Sequence, residues 1–155
     1  MRTHYLENRI PPPIVLVIGF GLVWVTKFFQ ESQHLANEDL RLWAIPYALM
    51  GIGVMALAVM RFVRFQTTVN PLAPQDASHL VKDGIFAYTR NPMYLGMALL
   101  LFSMILYGGH SIAMVWLLLF VLYIHVFQIL PEERAMQAIF GEEYAVYCRE
   151  VRRWL

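Results

Sequence analysis

The chain has 155 residues, enough for one domain and too few for two. Apolar residues make up 59% and charged residues 15%, with a mean hydropathy of +0.51, so there is too little charged surface to cover a soluble globule and the excess must face something other than water. A net charge of +1 and one cysteine, Cys148, argue against a nucleic-acid partner and exclude an intrachain disulfide and a zinc site built on cysteine pairs.

The first apolar run, Pro11 to Phe29, opens on three prolines whose locked φ suits a helix start. It is too long for the apolar core of a cleaved signal and runs into Lys27 without a small-residue cleavage pattern. A polar stretch, Gln30 to Arg41, leads to a second run over Leu42 to Met60. Each run matches the roughly 20 residues that cross a hydrocarbon core of about 30 Å. Gln66 to Pro92 is rich in proline and charge and cannot lie in lipid. Two more apolar runs follow, Met93 to Tyr107 and Ile112 to Leu130, divided by Gly108-Gly109-His110, which predicts a tight helical hairpin. Beyond Pro131 the chain is polar and helix-forming, with Glu132 and Glu133 favourable in a first turn. Gly141 breaks that helix, and Glu142 to Trp154 reads as a second, amphipathic one.

These elements predict an all-α integral membrane bundle of four spans, about 11–29, 42–60, 93–107 and 112–130, in one domain over 1–155. With the N-terminus inside, the inner segments hold ten basic residues, from Arg2 and Arg9 to Arg152 and Arg153, and the outer ones only Lys27 and Arg41. The positive-inside rule therefore puts 66–92 and the C-terminal helical segment, 131–155, together on the cytosolic side, most simply at the cytoplasmic membrane. Chemistry is expected on that side.

Pro92 disfavours helical geometry at Asn91 and starts the third span, so Arg90 and Asn91 sit at an interfacial helix N-terminus with free amide N–H groups. The alternative is a plain anchor, with Arg90 snorkelling and Tyr88 and Tyr94 in the aromatic belt. On the fourth span His125, Gln128 and Glu132 are spaced i, i+3 and i+7 and share a helical face, and polar groups at such depth usually face a cavity or a bundle interior. They could also satisfy one another or a backbone carbonyl. The C-terminal stretch reads as a helix on an anionic leaflet anchored by Arg152, Arg153 and Trp154. Cys148 has no activating neighbour in sequence and reads as inert.

Four pieces in order carry a family resemblance over roughly Thr67 to Trp154. They are Leu80-Val81 with Gly84, Arg90-Asn91-Pro92-Met93-Tyr94-Leu95-Gly96, Glu132-Glu133, and Phe140-Gly141-Glu142-Glu143-Tyr144 with Tyr147. This pattern resembles the isoprenylcysteine carboxyl methyltransferase family of integral membrane enzymes, with phospholipid N-methyltransferases as more distant relatives. The resemblance implies S-adenosylmethionine held at the cytosolic membrane surface by His79, Leu80, Val81, Phe86, Asn91, Pro92, Met93, Tyr94 and Glu132. It implies no metal. Arg90 and Glu132 are the pair expected at the reacting end, with His125 and Gln128 toward the acceptor. Asn91, Phe86 and Gln128 stand where the prenylcysteine enzymes have histidine, tyrosine and a carboxylate-holding arginine. Glutamine is a poor substitute for that fork, so a small lipophilic or lipid acceptor entering from the bilayer fits better than a prenylated-protein carboxylate. Two other readings compete: a membrane reductase of isoprenoid or sterol double bonds, and a non-catalytic membrane scaffold.

Overall fold

The computed structural model describes residues 7–29, 38–65, 78–109 and 111–155. Most of the expected outer loop, the first part (66–77) of the loop before Pro92, Arg2 and His110 lie outside the described residues. Among the described residues the fold is all helical, with no strand. Helix α1 spans Pro12–Phe29, α2 Glu38–Arg64, α3 Pro92–Gly108, α4 Met114–Ile124, α5 Leu130–Phe140 and α6 Glu142–Glu150, with short 3-10 turns at Gly84–Ala87 and Ser111–Ala113.

The first four helices run up and down against one another. Gly19 of α1 packs on Leu101 of α3 and Gly51 of α2 on Gly96 of α3, while Tyr47 meets Phe102 edge-on at 4.9 Å. Two hydrogen bonds set α4 antiparallel to α1: Trp116 Nε1 donates to Thr26 Oγ1 (2.8 Å), and Gln128 Nε2 donates to the Ile10 carbonyl (2.9 Å). The shared core is Leu16, Val23, Tyr94, Met97, Leu101, Ile105, Phe120 and Ile124. Gly109, in left-handed geometry at φ 72°, closes α3 by donating its N–H to the Ile105 carbonyl, as the glycine turn predicts.

Two continuous helices are long and apolar enough to cross a membrane, Leu40–Arg64 and Ser111–Phe140, and two shorter apolar helices, Pro12–Thr26 and Pro92–Gly108, stand beside them. Only 17% and 28% of the most apolar windows of the long pair are buried, so their apolar side chains point mostly outward, the reverse of a soluble core helix.

Helix α2 is longer at both ends than the apolar run Leu42 to Met60, starting at Glu38 inside the expected polar stretch, and two further boundaries differ from the sequence expectation. The fourth apolar helix does not end at Leu130 for a new one to start at Pro131. It continues through a π turn, His125–Ile129, into α5. Pro131 has no N–H to offer the carbonyl of Phe127, four residues back, and the Leu130 N–H bonds instead to the His125 carbonyl, five residues back. The Phe127 carbonyl takes the N–H of Asn8 (3.0 Å), a residue in left-handed geometry at φ 52°. The second difference is at the C-terminal side. Helix α6 stops at Glu150 and Val151 is extended, so 151–155 is a strap rather than the last turn of an amphipathic helix.

Candidate functional site

The polar end of the bundle is assembled from three pieces: the loop 78–91, the first turn of α5, and α6 with its strap. Leu80 is buried against Tyr144, Tyr147 and Val151, and Val81 and Phe86 against Ala58. Gly84 adopts φ +62° with the Arg61 side chain lying across its α-carbon, and Arg61 pairs with Asp83 at 2.9 Å. The Tyr147 hydroxyl donates to the Phe86 carbonyl (2.7 Å), tying α6 to the 3-10 turn. The strap docks on the start of α3 through its backbone. The Arg90 N–H donates to the Arg152 carbonyl (3.0 Å), while Asn91 Nδ2 (2.9 Å) and Thr89 Oγ1 (3.3 Å) donate to the Arg153 carbonyl.

The centre of this assembly is a charge cluster. Glu133 receives a two-pronged contact from Arg153, Nε at 2.8 Å and a terminal nitrogen at 2.7 Å, and an ion pair from Arg90 at 3.3 Å. Forked contacts of this kind are charge-assisted and fix both partners' planes. Arg90 also donates to Cys148 Sγ, and its Nε is buried without a partner. Glu132, one position earlier, points elsewhere and accepts the Tyr94 hydroxyl. The Glu133 carboxylate holds the Arg153 guanidinium above its ordinary value. Burial pushes the Tyr144 and Tyr147 hydroxyls up, with Arg90 pulling the other way, so both remain protonated hydrogen-bond donors at neutral pH.

The structure thus redistributes the residues singled out in the sequence. Arg90, Asn91, Pro92, Met93, Tyr94 and Glu132 come together where α3 begins against α5. Arg90 pairs with Glu133, however, and not with Glu132. The Asn91 amide is engaged by the strap and does not cap α3. Leu80, Val81 and Phe86 are core residues, able to meet a ligand mainly through backbone. His79 is exposed, its ring stacked on Phe65 at 4.8 Å. The stripe of His125, Gln128 and Glu132 is split by the π turn that starts at His125: Gln128 is fully buried against the segment before α1, while Glu132 turns to α3. Cys148 does have a cationic neighbour, Arg90, contrary to its reading as isolated. Arg153 is not a lipid anchor, being paired with Glu133, and Trp154 packs on the bundle core. Sequence reasoning missed Thr89, Glu133 and Arg153 as site residues. Two adjacent glutamates look alike in a string of letters, and only their 100° separation on a helix tells them apart.

This polar junction lies largely inside a recognised family match. The phospholipid methyltransferase family matches residues 40–143. The chain belongs to that family. It is thereby a membrane methyltransferase-family protein, in the same group as the isoprenylcysteine carboxyl methyltransferase-like enzymes its motifs resemble. An uncharacterized protein of Haemophilus influenzae is 43% identical over 63 residues, which is 41% of this chain and the whole of that relative. No solved structure matches.

Proposed function

We propose that this protein is an S-adenosylmethionine-dependent methyltransferase working at the cytosolic surface of a membrane it crosses four times, on a small lipophilic or lipid acceptor. The observation that carries the reading is the buried, unpartnered Nε of Arg90 at the start of α3, beside the Glu133 carboxylate, which is already held by two arginines. A buried donor of a charged group without a partner is costly and asks for an anion. The donor's amino-acid carboxylate is such an anion, and the free N–H groups of a helix's first turn favour the same charge.

The residues present suit the rest of that molecule. Glu132 offers a carboxylate to ribose hydroxyls or to the ammonium, and the Tyr94 hydroxyl orients it. When bound, S-adenosylmethionine supplies a methyl group already activated on a sulfonium. The chain's own task is alignment and exclusion of water, since in-line displacement needs near-attack geometry more than a general base. Arg90 orients charge, Glu132 and Tyr94 orient the donor, and the apolar faces of α3 and α4 offer a route from lipid for the acceptor.

Calorimetry on detergent-purified protein tests this directly. S-adenosylmethionine or its demethylated product is expected to bind in the micromolar range, about −8 kcal/mol. Glu132→Ala should weaken binding by about 1–3 kcal/mol. Binding of NADPH without binding of the methyl donor would favour the reductase reading and refute this one.

A further inference from the structure

We infer that Arg153 is a positioning residue: through Glu133 it holds the Arg90 guanidinium in the orientation that leaves its Nε free for the donor carboxylate. The inference rests on the methyl-donor reading above and adds a residue that neither the sequence motifs nor the family match assigns.

Two features of the strap separate its jobs. Its attachment to α3 uses the carbonyls of Arg152 and Arg153, which accept from Arg90, Thr89 and Asn91, and any residue at 153 would supply that carbonyl. The Arg153 side chain does something else. Both of its contacts, at 2.8 and 2.7 Å, go to the Glu133 carboxylate. Arg90 reaches the same carboxylate at a looser 3.3 Å. Glu133 is thus shared unequally, with the tighter claim belonging to Arg153.

That sharing has an electrostatic consequence. Two guanidinium groups against one carboxylate leave one positive charge in excess, in a place where the Arg90 and Glu133 side chains are 11% and 16% exposed. Poor exposure means weak screening, so the excess is felt locally. If Arg153 is removed, nothing holds Glu133 back from Arg90. The two then close into a neutral pair, the guanidinium plane turns with it, and both the excess charge and the free Nε are lost as an anion site. Tyr94 and Glu132 lie outside this exchange, so contacts to the nucleoside part of the donor are unaffected.

The test compares two probes on the full-length purified protein: S-adenosylhomocysteine, which carries the amino-acid carboxylate, and methylthioadenosine, which lacks it. Arg153→Ala should weaken S-adenosylhomocysteine about tenfold and change methylthioadenosine by less than roughly twofold. Arg153→Lys, which restores charge without the fork, should recover part of the loss. Arg153→Ala made in a Glu133→Gln background should have no additional effect, because the residue through which it acts no longer carries charge. Equal weakening of both probes would make Arg153 a merely structural residue and overturn the inference, as would an unchanged S-adenosylhomocysteine affinity or full additivity with Glu133→Gln. Failure of the wild type to bind either probe would refute the methyl-donor reading and this inference with it.

Discussion

Gly96→Ala is the substitution for which the structure makes the sharpest demand. A methyl group placed on Gly96 would lie 2.7 Å from the Gly51 carbonyl oxygen and 2.4 Å from Met55 Cγ. The methionine can swing away, being long and flexible. The carbonyl cannot, because it belongs to the backbone of α2, and the contact is about 0.7 Å short of the 3.4 Å at which ordinary contact begins. Helices α2 and α3 must therefore separate by several tenths of an ångström along their largest shared face. Overpacking of this kind costs about 1–3 kcal/mol. For a chain of this size that is a fall of roughly 3–10 °C in thermal midpoint. Gly96 lies two residues beyond Tyr94, so the shift also reaches the Tyr94–Glu132 contact, and donor affinity should fall with stability. The control is Gly53→Ala, on the same helix as Gly51, where nothing lies within 4 Å of the added methyl. There alanine should be neutral or raise stability by about 0.5–1 kcal/mol through helix propensity. Thermal unfolding in detergent, followed by circular dichroism, measures both. Equal effects of the two substitutions would refute the close-approach argument.

Two further outcomes are expected. Gly84→Ala combines a left-handed backbone with a would-be methyl 2.4 Å from the Arg61 side chain, so it should cost at least about 1–2 kcal/mol; adding Arg61→Ala should recover the steric part only, and full recovery would show that the backbone conformation carries no cost. In a Cys148→Ser background, a cysteine at Ser32 should label from outside the cell and one at Ser78 only after permeabilisation, and the reverse pattern would invert the topology.

What was legible in the sequence was local. Run length and the prolines and glycines that punctuate the runs marked four apolar helices, and Pro92 and Gly109 stand at the start and end of α3 as their backbone chemistry demands. Pro131 misled, since a proline before two glutamates has the look of a helix start. Whether it begins a helix or distorts a continuing one depends on whether some distant group will take the carbonyl it leaves free, and here Asn8 does. The site was half visible for the same reason. Arg90, Tyr94 and Glu132 could be named from position near a helix start, but the pairing of Arg90 with Glu133 depends on the strap, and the strap depends on α6 ending at Glu150. No local pattern encodes a fork between residues 20 apart on different segments.

The freed Phe127 carbonyl also bears on the order in which the bundle can be completed. Residues Glu7 to Ile10 find partners on the π turn that follows α4 and on α5, at separations of 118 residues for Gln128 and 127 for Arg134. During synthesis the first helix is therefore made long before the groups that satisfy its leading segment exist, and α2 and α3 must be accommodated meanwhile. Closure of α4 onto α1 is a late event with a large loop-closure cost, made worthwhile by several polar contacts formed at once. A substitution at Pro131 that restores the N–H would give the Phe127 carbonyl a local partner and remove one reason for the two ends of the bundle to meet. Such a chain would insert its helices normally and fail at assembly, a defect visible in the yield of compact protein rather than in membrane integration.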